Sequence, residues 1–109
     1  MNTMKLHQKK CVPCEGYEKP LEPLRVADYL AQVDAWQTDN KKIWKEFKFS
    51  DFKETMSFVN KVADLAEKEG HHPDMQVHYS RVKIELWTHA ISGLSENDFI
   101  LASKIDKLQ

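Results

Sequence analysis

Histidine is the side chain that gives or takes a proton near neutral pH. Four of this chain's five histidines fall close together, at His71, His72, His78 and His89. His71-His72-Pro73 follows directly on a predicted helix C-terminus, the end whose dipole favours the imidazolium. Glu67, four residues before His71, lies on the same helical side and reaches it if the helix persists. His89 falls where a predicted strand ends, so His71, His72 and His89 can meet at one rim of a sheet. Such a cluster suits general acid–base chemistry. A histidine pair in a turn is also often plain solvated surface, and spacing alone does not choose. His78 alternates onto the polar face of its strand and reads as surface, and His7 carries no signal.

The same residues admit a metal reading. His71 and His72 with a distant His89 would make a three-histidine site, and Cys11-x-x-Cys14 is half a zinc knuckle. Against it, no HxH or HxxxH pair offers two ligands from one element, and a second CxxC is absent. The plain alternative is an arm carrying two free thiols. Asp98 stands three residues after Ser95, as in a capping box with Asp in the Glu position. It can also carry a carboxylate to the histidine rim. Trp36, Trp44 and Trp87 are of the type usually found in cores or interfaces. Trp87 points opposite to Leu86 and Thr88 and can cover a ligand or a subunit contact.

Several elements must position these groups. Residues 1–23 read as an arm holding the CxxC pair and three of the four prolines, which fits neither a long helix nor a central strand. Residues 24–109 read as a single domain. Val26, Tyr29, Leu30 and Val33 predict a short helix over Arg25–Val33. A strand begins near Ala35–Gln37, Asp39-Asn40 turns the chain, and Ile43, Phe47 and Phe49 predict its partner. Ser50, able to cap free N–H groups, and Asp51, suited to the positive end of the dipole, open the longest helix, Ser50–Glu69, with Phe52, Met56, Val59, Ala63 and Ala66 as its apolar stripe. Phe58, Val62 and Leu65 widen that stripe, and Gly70 ends it. Met75–Tyr79 and Val82–Thr88 alternate as strands, and Phe99, Leu101, Ala102, Ile105 and Leu108 give a final amphipathic helix. The order α-β-β-α-β-β-α predicts an α+β fold, a four-stranded antiparallel sheet with three helices on one face. Phe47, Phe49, Phe52, Val59, Ala63, Val82, Ile84 and Leu86 are the expected core.

Bulk properties narrow the function. The chain has 109 residues, the length of one small domain. A net charge of −1 gives no basic excess for direct nucleic-acid binding. No apolar run is long enough for a membrane span, and no apolar block follows the N-terminal lysines as in a secretory signal. Two cysteines make no disulfide framework, so a cytoplasmic protein is expected.

Glu67-Lys-Glu-Gly-His71-His72-Pro73-Asp74, then Tyr79, Thr88-His89, Gly93-Leu94-Ser95 and Asp98 resemble, in residues and spacing, the signature of the pterin-4a-carbinolamine dehydratase (4a-hydroxytetrahydrobiopterin dehydratase) family. Trp36 and Ile43…Phe47-Lys-Phe49-Ser-Asp51-Phe52 are similar to the family's first hairpin and the start of its long helix. Leu101-Ala102…Ile105-Asp106 is similar to its last helix. The Cys11-x-x-Cys14 arm with Pro20-Leu21 is similar to the N-terminus of some microbial members. The chain departs from the family pattern at Ala90, where an acidic residue usually follows Thr-His, and at Asn97, where Arg is often found.

The resemblance implies dehydration of 4a-hydroxytetrahydrobiopterin to quinonoid dihydropterin, which recycles the cofactor of aromatic amino-acid hydroxylases. It implies His71, His72 and His89 as catalytic residues, with Glu67 and Asp98 supporting them. It also implies Trp87, Thr88 and Asp74 as pterin-binding residues, no metal, no cofactor, and a homodimer or homotetramer. Animal members also serve as dimerisation cofactors of a transcription factor, so a protein-binding module of the same fold is an alternative. A small zinc-binding protein is another.

Overall fold

In the computed structural model, which describes residues 4–13, 16 and 18–109, the first helix starts on a proline. Pro23 takes the first position of α1 (Pro23–Leu30), where its missing N–H would have had no partner in any case. This helix therefore begins before the expected Arg25 and stops short of Val33. The hairpin β1 (Gln37–Thr38) and β2 (Ile43–Lys48) follows, its turn tied by the Asp39 carboxylate accepting from the Lys41 and Lys42 N–H groups at 2.9 Å each.

The long helix α2 (Phe52–Glu69) is capped by Asp51, whose carboxylate accepts from Glu54 N–H at 2.8 Å. Ser50, the expected cap, gives its hydroxyl to the Glu54 side chain instead, and Asp51, expected only to suit the helix dipole, does the capping, so the helix opens two residues later than expected. Strands β3 (Asp74–Val77) and β4 (Arg81–Leu86) come next, then a single 3-10 turn at His89–Ile91, then α3 (Glu96–Asp106). The sheet is antiparallel throughout, in the order β1-β2-β4-β3. Ile43 faces Leu86 and Phe47 faces Val82 across the β2–β4 ladder, so one sheet face is apolar and receives the three helices. Among the described residues, no helix is long and apolar enough to cross a membrane.

The buried stripe of α2 differs from the expected one. Thr55, Phe58, Val62, Ala66 and Glu69 face the interior, while Val59 and Ala63 are half-buried and Phe52 is 49% exposed. Phe58, Val62 and Ala66 belong to the expected stripe, but both of its edges have helical spacing, so periodicity could not say which edge lies deeper. Phe58 decides the outcome by packing its ring against Phe47 at 4.8 Å and Phe49 at 5.0 Å. Thr55 and Glu69, at the two ends of the buried edge, are polar and gave no apolar signal. The strand β3 ends at Val77, short of the expected Tyr79, and both residues, expected to face inward, are exposed at the sheet edge.

The last helix is not amphipathic. Asn97 through Ser103 are all buried, because α1, α2 and the N-terminal segment surround α3. In that segment Leu6 and Cys11 are buried. Cys11 N–H donates to the Glu69 carboxylate at 2.9 Å, and Lys104 pairs with Glu69 at 3.3 Å. Farther along, Leu21 N–H donates to Leu94 C=O at 2.9 Å, and Pro20 packs on Gly93 so closely that a Cβ there would fall 2.7 Å from it. Only glycine fits that contact.

Two outcomes test this packing. Phe58→Ala should cost about 3–5 kcal/mol in urea unfolding, and Phe52→Ala under about 1 kcal/mol; equal losses would refute the stripe assignment. Burial by itself would push the Glu69 carboxyl up, but the Cys11 N–H and the Lys104 ammonium hold it below its usual value. A depressed carboxyl contributes stability above its unfolded pKa of about 4.3, and loses it as pH falls through the folded value. Glu69→Gln should therefore flatten the acid limb of the stability curve; parallel curves for the two proteins would count against the anchor.

Candidate active site

Gly70 ends α2 in the left-handed region, at φ 68°, a conformation glycine adopts without strain. Its N–H and that of His71 both return to Ala66 C=O, at 2.9 and 3.3 Å. The chain thereby turns sharply, and His71 leaves the side of the helix that carries Glu67. The expected Glu67–His71 contact is not made. His71 Nε2 instead meets Asp98 Oδ1 at 2.6 Å, and Glu67 Oε2 meets Nε2 of the next histidine, His72, at 2.5 Å. The helix stops too early for the four-residue spacing to operate.

Asp98 is fully buried at the start of α3. Its second oxygen accepts from Ser95 N–H at 3.0 Å, which closes the capping box, and from the Thr88 hydroxyl at 2.9 Å. With its proton given to Asp98, Thr88 accepts from the Ser95 hydroxyl at 2.7 Å. Asp98 thus caps a helix and holds a histidine at once. An ionised carboxylate only accepts, so Nε2 of His71 carries the hydrogen and Nδ1 is the nitrogen left to exchange protons. The His71 side chain is 13% exposed, enclosed but reachable.

The other two histidines are open to solvent. His72 is 61% exposed, and its partner Glu67 is more exposed still. His89, at the start of the 3-10 turn, lays its ring on Trp87 with centroids 3.8 Å apart and planes 24° apart. Trp87 is in turn braced by its indole N–H donating to Asp74 Oδ2 at 3.3 Å. His71, His72, Asp74, Trp87, Thr88 and His89 all line one cleft of ≈ 390 Å³, so the structure brings the expected rim together. Thr88 is the exception in its contacts: its hydroxyl is turned to Asp98 and Ser95, and its N–H and C=O both engage Gly93. A larger cleft of ≈ 590 Å³ between β2 and α2 is lined by Lys48, Ser50, Glu54 and Lys61 and contains no histidine.

Three further residues reach this region without any signal in the spacing. Val12 and Pro13, from the arm, line the histidine cleft, and so does Asn97. Cys11 faces away: its thiol is buried and donates to Asn97 C=O at 3.6 Å. Burial, with the nearby Glu69 carboxylate, pushes that thiol up to about 12, so it stays protonated and is a poor metal ligand at neutral pH. Cys14 lies outside the described residues. Among the described residues, no group of three or more His, Cys, Asp or Glu is placed to hold a metal ion.

The family model described as pterin 4 alpha carbinolamine dehydratase matches residues 19–108. A protein of Nitrosospira multiformis, named as a candidate pterin-4-alpha-carbinolamine dehydratase, is 48% identical over 103 residues, covering 94% of this chain and 91% of its own. One of Alkaliphilus metalliredigens, named likewise, is 47% identical over 106 residues, covering 95% and 96%. Among solved structures, a transcriptional coactivator/pterin dehydratase from Brucella melitensis is 34% identical with a TM-score of 0.77, covering 83% of this chain and 98% of its own. A match over nearly the whole chain, on a fold that gathers the expected histidines, leads to one conclusion: the chain belongs to the pterin-4a-carbinolamine dehydratase family.

Proposed function

We propose that this chain dehydrates 4a-hydroxytetrahydrobiopterin, a pterin-4a-carbinolamine, to quinonoid dihydropterin and water. The observation that carries the reading is the His71–Asp98 pair at 2.6 Å, in a cleft shared with His72 and His89. In the reaction the C4a–O bond breaks as the C4a=N5 bond forms. The N5 proton leaves, the departing hydroxyl takes a proton, and no electrons are exchanged with an outside partner. The chemistry therefore asks for an acid and a base near neutral pH, which two imidazoles supply without metal or cofactor, each worth about 10²–10⁴-fold.

His71 and His89 share these proton transfers. Asp98 orients His71 so that Nδ1 faces the work, and Glu67 steadies His72, which positions the substrate and carries part of the proton traffic. Trp87 offers an aromatic wall for the flat pterin, and Asp74 fixes the indole edge. Thr88 acts through Asp98 rather than by touching the substrate with its hydroxyl. Ala90, where relatives usually carry an acidic residue, leaves His89 held by the Trp87 ring.

In the cell this activity returns the pterin cofactor of aromatic amino-acid hydroxylases to use. A cytoplasmic setting accords with the free thiol of Cys11. The assembly proposed is a homodimer or homotetramer, supported by the edge strand β3, which pairs only with β4 and carries exposed Val77. Unpaired backbone groups on such an edge can be met by the same edge of a second copy.

The direct experiment follows the decay of freshly made 4a-hydroxytetrahydropterin, with and without a chelator. The wild type should accelerate it in both cases; a rate abolished by the chelator would overturn the metal-free mechanism. His71→Ala and His89→Ala should each lower kcat about 10²-fold or more, and the double variant should lose less than the product of the two. Unchanged turnover in both single variants would refute the acid–base assignment. Asp98→Asn should lower kcat by about 10²–10⁴-fold and also destabilise the fold, by about 1–3 kcal/mol, since it breaks a cap and a histidine anchor together. Loss of stability with kcat intact would reduce Asp98 to a helix cap.

A further inference from the structure

The family model begins at residue 19, yet residues ahead of that point form part of the cleft: Val12 and Pro13 line it beside His71, His72, Trp87 and His89. The segment is pinned there through its backbone. Asn97 takes hold of Val12 from both sides, its Oδ1 accepting from Val12 N–H at 3.0 Å and its Nδ2 donating to Val12 C=O at 2.6 Å. Glu69 accepts from Cys11 N–H at 2.9 Å and is itself held by Lys104 at 3.3 Å. The buried side chains of Leu6 and Cys11 add apolar anchorage, and Lys9 pairs with Glu96 at 2.8 Å. Each backbone anchor stands close in the chain to one member of the His71–Asp98 pair. Asn97 precedes Asp98, and Glu69 stands two residues before His71.

The side chains at the cleft are treated in the opposite way. Val12 is 66% exposed, and Pro13 is exposed beside it. A stretch whose backbone is fixed by buried polar groups, and whose apolar side chains stand largely exposed, forms a rigid apolar rim. Neither Val nor Pro has a side-chain donor or acceptor, so such a rim discriminates by shape alone. The cleft, at ≈ 390 Å³, is small for a ligand site, so bulk added at its rim is felt.

We propose that Val12 and Pro13 form a substrate-selecting wall of this cleft, set in place by Asn97 and Glu69, that limits the substituent on the reduced ring of the pterin. This rests on the dehydratase reading above. The pyrimidine half of a pterin is dense in donors and acceptors and seeks the polar interior of the cleft. The reacting C4a must reach the histidines. The C6 substituent is the part left to point to the mouth, where the apolar wall stands.

The test compares two carbinolamines, made from tetrahydropterins carrying a methyl or a dihydroxypropyl group at C6. Val12→Trp adds bulk at an exposed position and leaves the fold intact. It should raise KM for the longer substituent about tenfold while kcat holds, and change the methyl substrate less than about twofold. Placing Val12→Trp in an Asn97→Ala background should relieve most of that penalty, because the wall is no longer held. Amide exchange at Val12 should quicken in Asn97→Ala alone. An active wild type in which Val12→Trp affects both substrates alike, or neither, overturns the wall and leaves the dehydratase reading standing. A wild type inactive on both substrates overturns the reading and the wall with it.

Discussion

A carboxylate with no solvent exposure at the start of α3 holds the site together. Burying Asp98 unpaired would cost several kcal/mol. Three donors on three different segments offset that: Ser95 N–H from the helix cap, the Thr88 hydroxyl from just beyond β4, and His71 Nε2 from the turn after α2. Hydrogen bonds to a charged group contribute about 1.5–3 kcal/mol each, so the charge is stable only while all three segments stay in register. The site geometry and the fold therefore depend on the same contact. A histidine held this way keeps one tautomer and one orientation, which an exposed histidine does not.

The same economy recurs around α3. This helix is also enclosed by α1, α2 and the N-terminal segment, and three of its polar residues each serve a neighbour. Asn97 holds Val12, Asp98 holds His71, and Lys104 holds Glu69, which in turn holds Cys11. On the far side, Asp106 accepts from the Trp36 indole at 3.1 Å and pairs with Lys45 at 2.9 Å, which lets a lysine stand on the apolar face of β2. Among the described residues, no fully enclosed side-chain nitrogen or oxygen is left without a partner. The helix thereby relays the position of the N-terminal segment to the cleft, and the arm becomes part of the site.

The exposed histidines obey a looser logic. The Glu67–His72 pair lies in water, where such contacts contribute little to stability. His89 is placed by ring stacking on Trp87. The cleft thus holds one enclosed histidine with a buried partner beside two accessible ones.

The order of elements, the alternation of β2 and β4, the bracketing of α2 by Asp51 and Gly70, and the capping box at Ser95 and Asp98 were all determined by the sequence itself. Each rests on local physics: backbone sterics, the two-residue and 3.6-residue periods, and capping of orphaned N–H groups. The histidines too were legible as a group, since His71, His72 and His89 fall at element ends that the topology must bring to one rim. Tertiary structure alone decided which partners they found. His71 and Asp98 are 27 positions apart, and Glu67 was the nearer candidate until Gly70 turned the chain. It also decided which of two equally periodic edges of the α2 stripe lies deeper, because Phe58 meets Phe47 and Phe49 only when β2 is in place. The proline-rich arm became a wall of the cleft for the same reason. Its anchors Glu69 and Asn97 lie 58 and 85 positions away in the chain, and contacts at that separation leave no period in a sequence.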